Sequence, residues 1–359
     1  MEDYEVLPDG RKVYSLAGVK SRQTGNNAEI TLIVGGKGLG KTFQVRKDAI
    51  TSFLDTGARF VEVSRSGEES KSVQRGYFEK IQREGYFPGY DFKVENDCGY
   101  IAERSDNPSW MQLCYFVALS SFQREKRRTY ADVDYIIFDE FIIDKRDRYH
   151  RYLPGEFGIL ANIIDSILRE NPSDEKRIHL FMCGNACDLT CPYFRYLGID
   201  RPPAFGYTFY RNKSVLLHYV KPWDADERRK RTFVGRMLAG TGEDSMIFDN
   251  LFDTGSSDDI ASKSQDARFA FGLVFQKEHI GIWSSLDECT FYVTSKIPKD
   301  KRNVYALTKR DGTLDYMVIG KSENMLQMLV KVFYAGGLRY ESPVLREKFF
   351  TILDFLGIK

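Results

Sequence analysis

Hydrophobic residues fall into short, dense runs separated by polar turns. The first, Ile30-Thr31-Leu32-Ile33-Val34, predicts a buried strand over 29–34 that runs straight into Gly35. Past a glycine-rich stretch, Val45, Ala49 and Ile50 recur at helical spacing until Asp55-Thr56-Gly57 stops the pattern. Ala58-Arg59-Phe60-Val61-Glu62-Val63 then alternates as a second strand, and strand-like runs return at 110–119, 135–138, 178–183 and 206–220. Between two of them, Phe157, Ile159, Leu160, Ile163, Ile164, Ile167 and Leu168 mark one stripe of an amphipathic helix over 156–170. Strands alternating with helices predict an α/β domain on a largely parallel sheet. Two stretches lack the pattern. Residues 1–28 read as a polar lead-in arm, and 64–108 as a helix with excursions inserted between core strands.

The pattern changes after Lys221-Pro222-Trp223. A basic helix over 227–238 closes at Gly240, and a stretch rich in Gly, Ser and Asp, 240–266, reads as a linker. Phe269–Phe275, His279–Trp283 and Thr290–Thr294 then form a β-meander, followed by amphipathic helices near 322–335 and 343–356. The expected organisation is an α/β domain over 1–220, a basic helix and linker over 221–266, and a smaller α+β domain over 267–359. A meander leading into α/β structure suits a ribonuclease-H-like module. A metal-dependent nuclease of that kind carries carboxylates in its first strand, and 269–275 has none, so no nuclease activity is expected.

Bulk properties narrow the classes. Basic and acidic residues number 52 and 51, so any nucleic acid must be held by local patches rather than by a global field. No run approaches the 18 apolar residues of a membrane span and the first residues are acidic, so neither a span nor a signal peptide is expected. The six cysteines then read as reduced thiols in a cytosolic protein. His179, Cys183, Cys187 and Cys191 recur every four residues, but four strand residues span about 13 Å, too far to converge on one zinc ion.

The chemistry concentrates at Gly35-Gly36-Lys37-Gly38-Leu39-Gly40-Lys41-Thr42, a G-x-x-x-x-G-K-T phosphate loop between a strand and a helix. Its glycines let backbone N–H groups turn inward onto phosphate oxygens, Lys41 reaches the outer phosphates, and the Thr42 hydroxyl ligates Mg²⁺. About 100 residues on, Tyr135-Ile136-Ile137-Phe138 runs into Asp139-Glu140. Asp139 is placed to hold Mg²⁺ and Glu140 to polarise the attacking water of ATP hydrolysis. Asn185, just past the strand at 178–183, is either a γ-phosphate sensor or an ordinary turn residue. Arg169, at the end of the 156–170 helix, either complements the helix dipole or reaches a neighbouring subunit's γ-phosphate.

Taken in order, these features resemble the DNA-packaging ATPases of small tailed phages of the phi29-like group. The resemblance rests on Gly35–Thr42, Ile136–Phe141, the helix ending in Arg169, Gly184-Asn185-Ala186 with the nearby Pro192-Tyr193-Phe194, the basic helix 227–238, and the meander. It implies a P-loop ATPase of the additional-strand, catalytic-glutamate class. Such proteins form a homopentameric ring at the portal vertex of a procapsid in the host cytoplasm and drive double-stranded DNA inward. It also implies a structural RNA bridging motor and procapsid, and a nuclease-like C-terminal domain without catalytic carboxylates. In that group the arginine finger falls on Arg169, and a lysine acting across the subunit interface falls on Lys126. A basic residue inside the phosphate loop is Lys37 here rather than arginine. Two other readings use the same motifs: a P-loop helicase or plasmid-type translocase, and a nucleotide-switched DNA-binding scaffold with little turnover.

Overall fold

The computed structural model describes residues 3–357 except 8–9, 123–128, 144–150, 171–177, 188–190, 200–202, 222, 224–230, 239–258, 288–289 and 300–302. The chain divides into two compact units, Met1–Asp253 and Thr254–Lys359. No helix among the described residues is long and apolar enough to cross a membrane.

The first unit opens with an antiparallel hairpin, β1 (Tyr4–Val6) and β2 (Lys12–Tyr14), and a helix α1 (Ala17–Asn26). The polar lead-in expected over 1–28 is therefore ordered structure. Three-residue strands are too short to show alternation, and α1 carries two glycines and only a weak apolar face.

β3 (Ile30–Val34), α2 (Lys41–Thr56) and β4 (Arg59–Ser64) follow as expected, with Gly57 in the left-handed conformation ending α2. Residues 64–108 hold more than one helix. Ser66 and Glu69 form a capping box that starts α3 (Gly67–Arg75), and α4 (Glu79–Arg83) comes next. The hairpin β5 (Tyr90–Glu95) and β6 (Cys98–Glu103) then pairs antiparallel onto β7 (Met111–Ala118). β8 (Val133–Phe138), α5 (Glu156–Glu170), β9 (His179–Gly184) and α6 (Pro192–Leu197) complete the centre. The run at 206–220 is two antiparallel strands, β10 (Gly206–Tyr210) and β11 (Val215–Tyr219), split by a turn at 211–213.

The nine strands order as β10-β11-β3-β9-β8-β4-β7-β6-β5, parallel from β11 to β7 and antiparallel at both margins. Helices cover both faces, so the central strands are buried throughout and read as near-continuous apolar runs. β9 lies between β3 and β8, the strands that end in the phosphate loop and in Asp139-Glu140. That inserted strand defines the additional-strand P-loop class. On α5, Leu160, Ile163 and Ile167 are buried, whereas Leu168, expected in the stripe, is 45% exposed. Only α7 (Phe233–Leu238) of the expected basic helix lies within the described residues.

In the second unit β12 (Arg268–Phe275), β13 (Glu278–Ser285) and β14 (Thr290–Thr294) form the expected meander. Three short strands that periodicity did not reveal extend it: β15 (Val304–Ala306), β16 (Met317–Val318) and β17 (Leu338–Tyr340). β15 pairs parallel to β12, β16 parallel to β15 and β17 parallel to β14, so the full order is β17-β14-β13-β12-β15-β16, in which β14-β13-β12-β15-β16 is the order of a ribonuclease-H-like sheet and β17 an added edge strand. Helices α8 (Asn324–Tyr334) and α9 (Pro343–Leu356) pack Leu326, Leu329, Phe349 and Ile352 against it.

Candidate functional site

β3 delivers the chain to Gly35 at the carboxyl edge of the parallel strands, where open α/β sheets bind ligands. Gly38 and Gly40 hold φ of +81° and +87°, a region costly for any side chain. Gly35 is tight for a different reason. A Cβ there would stand 3.0 Å from Val220 Cβ and 3.2 Å from Leu39 Cδ1.

Lys41 is 7% exposed, and its ammonium donates to the carbonyls of Gly35 (2.8 Å) and Gly36 (2.7 Å) and to Asn185 Oδ1 (3.3 Å). The lysine thus joins the loop to the residue following β9. The Thr42 hydroxyl donates to Asp139 Oδ1 at 2.7 Å, and that oxygen also accepts the Glu140 N–H at 3.0 Å. A hydroxyl and a carboxylate side by side are hard oxygen ligands and fit Mg²⁺. Burial and the neighbouring Asp139 push the nearby Cys183 thiol up to about 12.

Glu140 holds φ +53°, a strained backbone for a residue with a side chain. Arg65 accounts for its persistence. Both terminal guanidinium nitrogens donate to the Glu140 carbonyl at 3.3 Å, and Nη2 donates to the Phe141 carbonyl at 3.3 Å. Arg65 Nε lies 3.0 Å from both carboxylate oxygens of Glu156, the first residue of α5. Glu156 also accepts the Tyr193 hydroxyl (2.6 Å) and the Leu153 N–H (2.7 Å). Its buried charge is thereby fully committed.

Lys37, Lys41, Arg46 and Lys80 line the open cleft over the loop, together with Asp139, Glu140 and Asn185. Four cations against two carboxylates suit a polyphosphate held through a metal ion. Of the residues singled out from sequence, Lys37, Gly38, Gly40, Lys41, Thr42, Asp139, Glu140 and Asn185 line one cleft, whereas Gly35, Gly36 and the buried Leu39 shape the loop without lining it. Arg169 does not line it. It sits in the last turn of α5, 71% exposed, with Nη2 on Asp165 Oδ2 at 2.6 Å. Lys126 lies outside the described residues.

Three supports of the site had no signal in the sequence. Arg65 with Glu156 is one. The second is the N-terminal hairpin. The Tyr14 N–H donates to the Leu39 carbonyl of the phosphate loop (2.8 Å), and its hydroxyl bonds His218 Nδ1 (2.7 Å). The third is a buried cluster beside the cleft, in which Glu62 accepts from Arg46 and from the Tyr77 hydroxyl (2.6 Å).

Residues 19–355 match the family model described as podovirus DNA encapsidation protein (Gp16), so the chain belongs to that family. It is 28% identical over 319 residues to the DNA packaging protein of Bacillus phage B103, covering 88% of this chain and 94% of that one. The DNA packaging protein of Bacillus phage phi29 is likewise 28% identical, over 88% of this chain and 91% of its own length. Among solved structures, a chain of the bacteriophage Phi-29 viral genome packaging motor assembly superposes with a TM-score of 0.74 at 25% identity, covering 96% of this chain and 99% of that one. The Phi-28 gp11 DNA packaging motor, 19% identical with a TM-score of 0.59, shares the fold over 94% of this chain and 97% of its own.

Proposed function

We propose that this protein is the ATP-hydrolysing subunit of a viral genome-packaging motor, a homo-oligomeric ring that drives double-stranded DNA through the portal vertex of a procapsid in the host cytoplasm. The observation that carries the reading is the 2.7 Å closure of Thr42 onto Asp139, with Lys41 inside the phosphate loop and Glu140 one residue on. Family membership and the likeness to a packaging-motor chain supply the direction of the work.

The loop's backbone N–H groups and the Lys41 ammonium bind the phosphates. Thr42 and Asp139 hold Mg²⁺, which neutralises charge on the outer phosphates when bound. Glu140 orients the attacking water and accepts its proton, with its backbone fixed through Arg65. Asn185, bonded to Lys41, reports loop occupancy to β9. Arg169 of a neighbouring subunit stabilises charge on the transferring phosphoryl group, and Lys126 acts across the same interface. DNA is gripped through its phosphates by local basic patches, as suits a motor that must pass every sequence, so binding weakens steeply with salt. The C-terminal unit, with no carboxylate in β12, contributes contacts rather than cleavage.

The test is Glu140→Gln, assayed for ATP binding and for steady-state turnover with and without double-stranded DNA across protein concentration. Wild type should speed up with DNA and with concentration. The variant should bind ATP normally and lose at least about 100-fold in turnover. Turnover within tenfold of wild type would remove Glu140 as the catalyst. A wild-type rate flat in DNA and concentration would leave a nucleotide switch rather than a motor.

A further inference from the structure

One wall of the cleft is built by Tyr77, between α3 and α4, and by Lys80 and Ile81 in α4. It is anchored from below. Tyr77 is 4% exposed, its hydroxyl donates to Glu62 Oε2 at 2.6 Å, and the Arg46 guanidinium lies 4.5 Å over its ring. Arg46 reaches up from α2, one turn past Thr42, and is itself paired with Glu62 on β4. Burial works against both charges of this pair, and each partner offsets it for the other. Ile81 is 1% exposed and closes the apolar side. The wall is thus fixed to the helix and the strand that frame the metal end of the cleft.

Lys80 is the cation this wall carries. Its Nζ lies 5.0 Å over the ring of Phe43, the residue after Thr42, and it lines the cleft with Asp139 and Glu140. Glu84, four residues on and capping the end of α4, is bonded by Arg11 at 2.6 Å. Its carboxylate is therefore already engaged by another cation. A flexible ammonium held by an aromatic face at a cleft rim is free to turn toward an incoming anion at small cost.

We infer that Lys80 binds the terminal phosphate of the bound nucleoside triphosphate from within the same subunit, held in place by the Arg46–Glu62–Tyr77 cluster. The inference rests on the nucleotide reading of the cleft and adds to it a second cation in cis, from outside the phosphate loop. It makes the wall at 77–81 a discriminator between triphosphate and diphosphate. The diphosphate keeps the loop's backbone contacts to the inner phosphates and lacks the group that Lys80 touches.

The experiment measures Mg²⁺-dependent binding of a non-hydrolysable ATP analogue and of ADP to the full chain by titration calorimetry. Wild type is compared with Lys80→Gln, Lys80→Arg and Lys41→Ala. Lys80→Gln should weaken the ATP analogue about tenfold and leave ADP within twofold, and Lys80→Arg should restore most of the loss. Equal losses for both nucleotides, or no loss for either, would overturn the assignment. Lys41→Ala separates the two levels. If it binds both nucleotides as wild type does, the cleft itself has been misread and the inference falls with it.

Discussion

The buried pair of Arg65 and Glu156 allows a sharp test of how the catalytic edge is held. Side-chain exposures are 6% and 1%, and the contact is made by Arg65 Nε to both carboxylate oxygens at 3.0 Å. Glu156→Ala leaves a buried guanidinium facing only backbone carbonyls and the rings of Phe138 and Tyr152. Breaking a buried pair on one side costs about 3–5 kcal/mol. The stranded Tyr193 hydroxyl and Leu153 N–H contribute to that figure rather than adding in full. Against a total stability of about 5–15 kcal/mol, the loss is large. At about 2–4 °C per kcal/mol for a unit of this size, the N-terminal transition should fall by roughly 10 °C.

Differential scanning calorimetry reads this directly. Glu156→Gln keeps an acceptor for Leu153 and Tyr193 and should lose about half as much. The decisive variant is the double change Arg65→Met with Glu156→Leu. Apolar residues in place of both charges should recover most of the stability. The same variant should stay impaired in turnover, because nothing then holds the Glu140 carbonyl. A shift below 2 °C for Glu156→Ala, or a double variant no more stable than the single one, would refute the reasoning.

Two further outcomes follow from the same geometry. Arg169→Ala should leave thermal stability unchanged within about 0.5 kcal/mol, since its ion pair with Asp165 is exposed on both sides. It should abolish ATP hydrolysis only in the assembled ring, and mixing with Glu140→Gln subunits should restore part of it; no restoration would argue against action between subunits. His218 has 0% exposure, and burial lowers its pKa to about 4 despite the opposing pull of Asp3. The folded state therefore keeps it neutral, while the unfolded chain takes up a proton near pH 6.5. Its contribution is complete above about pH 6.5 and is lost as pH falls toward 4, by about 3 kcal/mol at the acid end. Urea unfolding of wild type and His218→Gln should show a stability difference that shrinks across that window, and a difference constant with pH would exclude His218 as its source.

What could be read from the chain depended on how locally each feature is encoded. β3, β7, β8 and β9 are largely buried and appear as mostly apolar runs, while β4 announces itself by the alternation of Phe60, Val61 and Val63 with Arg59 and Glu62. The phosphate loop and Asp139-Glu140 are contiguous motifs, and their meeting at Thr42–Asp139 follows once their strands share a sheet. The supports are encoded across the chain instead. Arg65 and Glu156 lie 91 positions apart, and Tyr14 and His218 lie 204 apart. No window of sequence holds both partners. β15, β16 and β17 run two or three residues each, and their pairing comes from the meander edges they join rather than from alternation of their own.

The position of α5 decides how Arg169 can act. Its first residue, Glu156, is tied through Arg65 to the Glu140 carbonyl at the carboxyl edge of the sheet. Arg169 stands thirteen residues further on, about 20 Å along the axis at 1.5 Å per residue. Glu170 beside it accepts the Tyr130 N–H, ahead of the start of β8, so this end of α5 lies at the opposite edge of the sheet. An arginine side chain cannot span that distance back to its own phosphate loop. Among the described residues of one subunit, the cations lining the cleft are Lys37, Lys41, Arg46 and Lys80. A catalytic role for Arg169 requires a second copy of the chain. The same helix makes such a requirement useful. With Arg169 acting in trans as proposed, its two ends would belong to different active sites, and α5 would link the backbone of one subunit's Glu140 to the charge presented to the next subunit's nucleotide. Hydrolysis at one site can then bias its neighbour through a single element, which is what sequential firing around a ring needs.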